Sequence, residues 1–315
     1  MKLLEFFKKY PTEQKCREKF KEYRLRQGVV CPRCGCKHHY WKEDKQMFQC
    51  KGCGYRQSLR ANTVMHGSKL PFQYWFIVMH LLTATKNSFS ALEIQRQLGH
   101  KRYQPIWEMV HKLRSVMGMR DDQYTLKGSV EVDEGFFSTE IEEDEKGQPL
   151  KRGAGSQKKS KVVVMAESKT VVNPKNPNKP KKVNHIKMKV VDNLRSQTIG
   201  VVASEGIDPN ARIISDATHS HSEFSSLFEE YTSHVVEPSQ INKVLPWVHV
   251  AISNTKSLFR NLYHGTRKEF LQNYLNEFCY KFNRRYFGEG LFDRLVLASV
   301  SYRSDFSSRV YGRCS

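Results

Sequence analysis

Two short cysteine pairs, CPRC at 31–34 and CKGC at 50–53, constrain the N-terminal part of this chain more than any other feature. Fifteen residues separate them. Two C-x-x-C knuckles at this interval place four thiolates tetrahedrally around one zinc ion. Five of the eight cysteines fall within 23 residues, which is metal-site spacing rather than a disulfide framework. Cys31, Cys34, Cys50 and Cys53 fill the coordination sphere, so no position stays open for catalysis. The metal is structural: its binding contributes on the order of 10 kcal/mol to a module too small to fold alone. Residues 29–62 are read as a zinc ribbon. Cys36, His38 and His39 are read as packed or exposed ribbon residues.

Charge narrows the partners. Lys and Arg number 52 against 32 Asp and Glu, a formal net charge of +20. Such an excess argues for a polyanionic partner, and nucleic acid is the commonest. A membrane surface is the rival, but no basic amphipathic anchor stands out. No apolar run reaches 18 residues, so no transmembrane helix is expected. The N-terminus MKLLEFFKKYPTEQ lacks a cleavage site, and a cytoplasmic protein is expected. A length of 315 residues suits two or three domains.

Residues 1–28 form a helical segment with Thr12 as a cap. Residues 69–120 read as three helices: PFQYWFIVMHLL, then SALEIQRQLG stopped by Gly99, then IWEMVHKLRSVMG after Pro105. Three helices with a Gly-bearing turn suit a helix-turn-helix. Arg96, His100, Lys101, Arg102, Gln104, Lys112 and Arg114 are its candidate DNA donors. A plain helical bundle with a basic solvated face is the alternative. From residue 127 the texture changes. SVEVDEGFF, KVVVMAES, IKMKVVDN, ARIISD and SHVVEP are β-branched runs, with a helix-compatible LRSQTIGVVASEG among them. The fold class is α/β. A basic insertion loop spans 140–189; from Lys151 to Lys189 twelve Lys or Arg accompany one acid, Glu167. NPKNPNKPKK within it has too many prolines for regular structure. Lys158 and Lys159 are expected to track DNA, the alternative being a solvated loop. Helices return after Pro246, one of them opened by a Thr266/Glu269 capping box.

SVEVDEGFF also poses a chemical question. In a strand, Val130 and Val132 point one way and Glu131 and Asp133 the other. ARIISD ends a second such run in Asp216. Two carboxylates brought into one site repel each other and attract a cation. Mg²⁺, or Mn²⁺, takes carboxylates, waters and phosphate oxygens, and two such ions clamp the attacking and leaving oxygens of in-line phosphoryl transfer.

The order CPRCG…CKGCGYRQSL…T, VEVDEGFF, IISD, VH…N and YLNEFCYKFNRRYF resembles the bacterial insertion-sequence transposases with an ISXO2-like transposase domain. The resemblance runs from the first helix to about Phe287. It implies a ribonuclease H-like mixed sheet flanked by helices over 127–300, preceded by the zinc ribbon and helix-turn-helix module. It implies DNA cleavage at the ends of an insertion sequence and strand transfer into target DNA. Asp133 becomes the first catalytic acid, Asp216 the second and Asn254 the third ligand, followed by Lys256. His249 matches a histidine common nearby, and Glu131, Glu134 and Glu277 are the acids available to help. Terminal inverted repeats and target DNA are the implied partners, with at least a dimer on DNA. The alternatives are a catalytically inactive DNA-binding regulator and a structure-specific nuclease of the same fold.

Overall fold

The computed structural model describes residues 1–171, 181–235, 244–263 and 265–306. The chain divides into two units: Met1–Arg120 with Arg284–Ser315, and Asp121–Asn283. Among the described residues no helix is long and apolar enough to cross a membrane.

The first unit begins with α1 (Leu3–Lys9) and α2 (Glu13–Gln27), separated at Pro11. Thr12 caps α2, its hydroxyl accepting from the Lys15 N–H. Next come the ribbon strands β1 (His39–Lys42), β2 (Met47–Cys50) and β3 (Arg56–Ser58), then α3 (Phe72–Ala84), α4 (Ala91–Leu98) and α5 (Tyr103–Asp122). Gly99 ends α4 in the left-handed conformation, φ 61°. Phe6, Tyr10 and Phe76 surround Phe292, which comes from a distant C-terminal helix, Leu291–Ser301. That helix was expected inside the catalytic domain, 127–300. It packs on α2 and α3 instead, because its apolar face completes their aromatic core. α3 has no side-chain cap of its own; the Glu13 carboxylate accepts from Phe72 N at 3.0 Å and Gln73 N at 2.7 Å.

The three ribbon strands form an antiparallel sheet that carries the knuckles. The sulfurs of Cys31 and Cys53 lie 3.6 Å apart and those of Cys34 and Cys50 3.5 Å apart. All four lie within 4.8 Å of one another. A tetrahedral zinc with bonds of about 2.3 Å spaces its sulfurs about 3.8 Å apart, so the donor set fits that ion. Backbone N–H groups of Cys53 and Gly52 favour the Cys50 thiolate and push its pKa down to about 6. Chelation of zinc is expected to unfold residues 29–62 while the second unit keeps its sheet. Cys34→Ala should abolish zinc binding, read by metal analysis and circular dichroism.

The second unit is a five-stranded mixed sheet in the order β6-β5-β4-β7-β8. Its strands are β4 (Ser129–Ser138), β5 (Lys159–Thr170), β6 (Lys181–Val191), β7 (Arg212–Asp216) and β8 (Glu230–His234). β4, β5 and β6 pair antiparallel in series, while β7 runs parallel to β4, and β8 to β7. Much of the expected 140–189 loop is therefore sheet: β5 and β6 pair from Lys161↔Val191 to Thr170↔Lys181. Their alternating apolar residues outweigh the lysines between them. Residues 173–180 of NPKNPNKPKK lie outside the described residues, and Lys181 and Lys182 begin β6. β8 starts earlier than SHVVEP suggested; residues 236–238 of that run lie outside the described residues.

Helices cover both faces. Val130, Val132, Val163, Met165 and Ile213 pack with Ile199 and Ala203 of α6 (Ser196–Gly206) and Phe224 of α7 (Phe224–Leu227). Phe137, Val162, Val164 and Ala166 pack on the other face with α8 (Pro246–Leu262) and α9 (Lys268–Asn283). α9 begins at Lys268, just after the Thr266 expected to open it, and the Thr266 hydroxyl donates to the Tyr263 carbonyl.

Glu131 sets the position of α8. It is 4% exposed, and its Oε2 accepts from Trp247 N at 2.8 Å and Val248 N at 3.0 Å. α8 starts with Pro246 and has no side-chain cap from its own segment, so this carboxylate meets two of its orphan N–H groups. Burial pushes the Glu131 pKa up to about 7 despite those bonds. A carboxyl raised on folding favours the native state at low pH and gives up that contribution as pH rises from its unfolded value toward 7. Glu131→Gln keeps an acceptor and should flatten this pH dependence. Glu131→Ala leaves the N–H groups unmet and should cost about 1–3 kcal/mol in urea unfolding.

Candidate active site

Asp133 and Asp216 come together through strand register. β4 and β7 pair in parallel up to Val132↔Ser215, and the next residue on each strand is the acid. Both carboxylates lie on the α8 side of the sheet, since Val132 and Ile213 occupy the other side. Asp133 is partly buried, and its Oδ1 accepts from Glu134 N at 2.7 Å. Burial, reinforced by the charges of Glu134 and Asp216, pushes its pKa up to about 6. Asp216 is shifted the other way, chiefly by its contact with His221. Two carboxylates held side by side repel each other, and a divalent cation relieves that repulsion.

The loop after β7 closes around Asp216. His221 Nδ1 lies 3.1 Å from Asp216 Oδ1, and Nε2 lies 3.2 Å from Glu134 Oε1. Ser220 Oγ donates to Glu134 Oε1 at 2.7 Å, and the Thr218 hydroxyl donates to Asp216. Burial acts against a charged His221, but the two carboxylates outweigh it and push its pKa up to about 10. One ligand atom from each of Glu134, Asp216 and His221 lies within 4.8 Å of the other two. Neither His221 nor its neighbours were singled out from the sequence. The signal available was DATHSH, a polar turn with two histidines directly after the strand-end acid.

α8 delivers the remaining groups. His249 Nε2 is 3.7 Å from Asp133 Oδ2. Lys256, partly buried over the Phe137 ring, lies close enough to Asp133 for their charges to couple. Burial lowers the Lys256 pKa, and so do its cationic neighbours Lys159 and Arg260. His249, Lys256 and Arg260 stand at i, i+7 and i+11, one side of the helix. Asn254 does not share that side. It lies about 160° around the helix from Lys256 and is exposed. The sequence places Asn254 in the right segment, but helical phase turns it away from the acids. Glu277, the other acid considered, is buried on α9, where it accepts from the Tyr263 hydroxyl at 3.4 Å and has Lys281 at 3.8 Å.

The candidate DNA donors divide by burial. Arg96, Lys101 and Arg102 are exposed around the α4–α5 turn. His100 packs its Nδ1 against Arg102 O at 2.8 Å, and Gln104 donates to Glu108. Lys112 and Arg114 are not surface donors. α5 is enclosed there, Arg114 is 1% exposed, and Lys112 Nζ bonds the His66 carbonyl. Lys158 and Lys159 are exposed at the start of β5.

Comparison with known proteins agrees with this arrangement of parts. A transposase zinc-ribbon domain matches residues 11–56. A Halobacterium salinarum protein, described as an uncharacterized protein in transposable element ISH50, is 24% identical over 175 residues. The match covers 52% of this chain and 58% of that protein, less than two thirds of the relative's length. The ISXO2-like transposase domain matches residues 125–283, ending with the second unit at Asn283. That match spans half of the chain and holds Asp133, Asp216, His221, His249 and Lys256 together, and the chain belongs to the ISXO2-like transposase family.

Proposed function

We propose that this protein cuts DNA at the ends of an insertion sequence and joins the freed 3′-hydroxyl to target DNA. The observation that carries the reading is the parallel β4–β7 register, which sets Asp133 beside Asp216 inside the family domain. The strand order supports a ribonuclease H-like fold: the first strand is central, the second antiparallel to it, the last two parallel.

Asp133 and Asp216 would hold Mg²⁺, or Mn²⁺, with Glu134 close by. When bound, such ions activate the attacking oxygen and neutralise charge in phosphoryl transfer. The chain's own groups do the rest. Lys256, Arg260 and Lys159 place positive charge beside the acids, where a scissile phosphate enters. His249 faces Asp133 from α8 and limits its rotation. Glu131 holds α8 at the height that makes these contacts. Arg96, Lys101 and Arg102 flank a helix–turn–helix arrangement and contact the terminal repeats, with Lys158 and Lys159 on the DNA backbone. Two ends are processed together, so the working form on DNA is at least a dimer. The thiolate zinc site suits the reducing cytoplasm.

One observation favours a second reading. Asn254 is turned away from the acids, so a chain that binds ends without cutting them, a regulator, remains a coherent alternative. A plasmid carrying the element's flanking ends separates the readings. Wild type is expected to nick and join these ends in Mg²⁺. Asp133→Asn and Asp216→Asn should each lower the rate about a hundredfold or more. Asn254→Ala should stay within about threefold of wild type, as its helical phase dictates. Binding without cleavage would establish the regulator, and cleavage without joining a nuclease. In DNA-binding titrations across salt, replacing both Lys158 and Lys159 with Ala should reduce the slope of log K against log salt by about two. An unchanged slope would remove these lysines from the DNA path.

A further inference from the structure

We infer that Tyr286 and Phe287 form a stacking platform for unpaired bases of single-stranded DNA, flanked by Arg285 and Arg294. The inference rests on the reading that DNA is the partner, and it is independent of whether the protein cuts. It gives a task to the RRYF end of the YLNEFCYKFNRRYF segment, which the catalytic reading leaves without one.

The two rings sit on the 3₁₀ turn Arg285–Gly290, which leads into the Leu291–Ser301 helix of the first unit. They are adjacent in sequence, and Tyr286 is 68% exposed and Phe287 49%. Single exposed aromatics are ordinary on a protein surface, whereas neighbouring ones mark a contact surface. Each ring already carries a guanidinium. Arg285 lies over Tyr286 at 4.4 Å from the ring centroid, and Arg294 over Phe287 at 4.9 Å. Arg285 also donates to the Tyr286 hydroxyl at 3.2 Å. The turn holds its shape: Phe287 N donates to Arg284 O at 2.9 Å, and Gly288 takes φ 51°, a conformation that side chains resist. Rings placed before binding lose little freedom when a base arrives. The surrounding charge selects the partner. Arg284, Arg285 and Arg294 stand with two acids, Glu289, which is exposed, and Asp293, which accepts from the Tyr23 hydroxyl at 2.7 Å. An apolar protein surface laid on the rings would strip water from the guanidinium groups without pairing them. A single strand of DNA brings base faces for the rings and phosphates for the arginines. In a duplex the base faces are already stacked on one another, so the rings favour unpaired bases.

The test uses the full-length, zinc-loaded protein without Mg²⁺. The probes are a fluorescent single strand of mixed sequence and the same strand annealed to its complement. Affinity is read by anisotropy across a salt series. Tyr286→Ala and Phe287→Ala should each weaken single-strand binding about tenfold and change duplex binding less than about twofold. The slope of log K against log salt should not move, since a neutral ring displaces no counterions. Tyr286→Trp should bind the single strand at least as tightly as wild type, whereas Tyr286→Leu should fail as the alanine variant does. Arg294→Ala should reduce the single-strand slope by about 0.7. Unchanged single-strand affinity in both alanine variants overturns the inference. Full binding by Tyr286→Leu also overturns it, because the contact is then merely apolar, as does an equal loss on single strand and duplex. Should Phe287→Ala fail to fold, the Tyr286 series decides. A wild type that binds neither probe removes DNA as the partner, and the proposed function falls too. Ring variants that hold both probes as wild type does sink this inference alone.

Discussion

The contact between Glu131 and the first turn of α8 is the interaction on which the rest of the second unit depends. A helix laid on a sheet is free to slide along its axis unless something specific fixes it, since apolar packing has little direction. Two charge-assisted bonds from Trp247 N and Val248 N to one buried carboxylate supply that direction. They fix the depth of α8 and its rotation together. The apolar side, Val248, Ala251, Ile252, Thr255 and Phe259, then faces the sheet. The adjoining side presents His249 and Lys256 to Asp133. The same device recurs in the first unit, where Glu13 receives the first N–H groups of α3. Both helices follow a proline that starts them without a polar cap of their own.

The three acids of SVEVDEGFF thus divide their work by direction and depth. Glu131 and Asp133 share a face, but Glu131 is enclosed by a helix end and is satisfied there. Asp133, two residues further along the strand, accepts from one backbone N–H and lies between the negative charges of Glu134 and Asp216 and the groups His249 and Lys256 that face it from α8. Glu134 points to the opposite face and meets the loop that follows β7. The parallel β4–β7 pairing draws that loop over the strand ends, so His221 reaches acids from both strands. Burial raises Asp133 while His221 lowers Asp216, so the two carboxyls differ in proton affinity.

Features set by local spacing were legible in the sequence. The two knuckles need only four cysteines at fixed intervals, and their sulfurs converge as that spacing requires. Asp216 ends β7 as the run ARIISD suggested, whereas Asp133 stands in the middle of β4, where the pairing with β7 stops; Gly99 and Thr12 follow from helix-end chemistry. Features set by distant partners were not legible. Nothing near Glu131 announces that its partners lie more than a hundred residues downstream. Lys112 and Arg114 read as surface cations because α5 gives no local sign of being enclosed. Asn254 and Lys256 lie two residues apart in a segment whose helical phase depends on where Glu131 anchors it. The Leu291–Ser301 helix carries an ordinary apolar stripe, and only the aromatic core around Phe6 and Phe76 decides where it packs.

The charge balance of the chain now has a local meaning. A net charge of +20 draws the protein to DNA, but uniform positive charge would bind phosphate without selecting a reactive one. The acids on β4 and β7 create a small negative centre, and Lys159, Lys256 and Arg260 lie beside it. A phosphate approaching this boundary meets cations from the protein on one side and the acids on the other. On the proposed function it would be accepted at the acids only once a divalent cation had reversed their sign. Metal binding and phosphate binding would then be coupled by electrostatics, with the cation as the condition for placing the scissile phosphate.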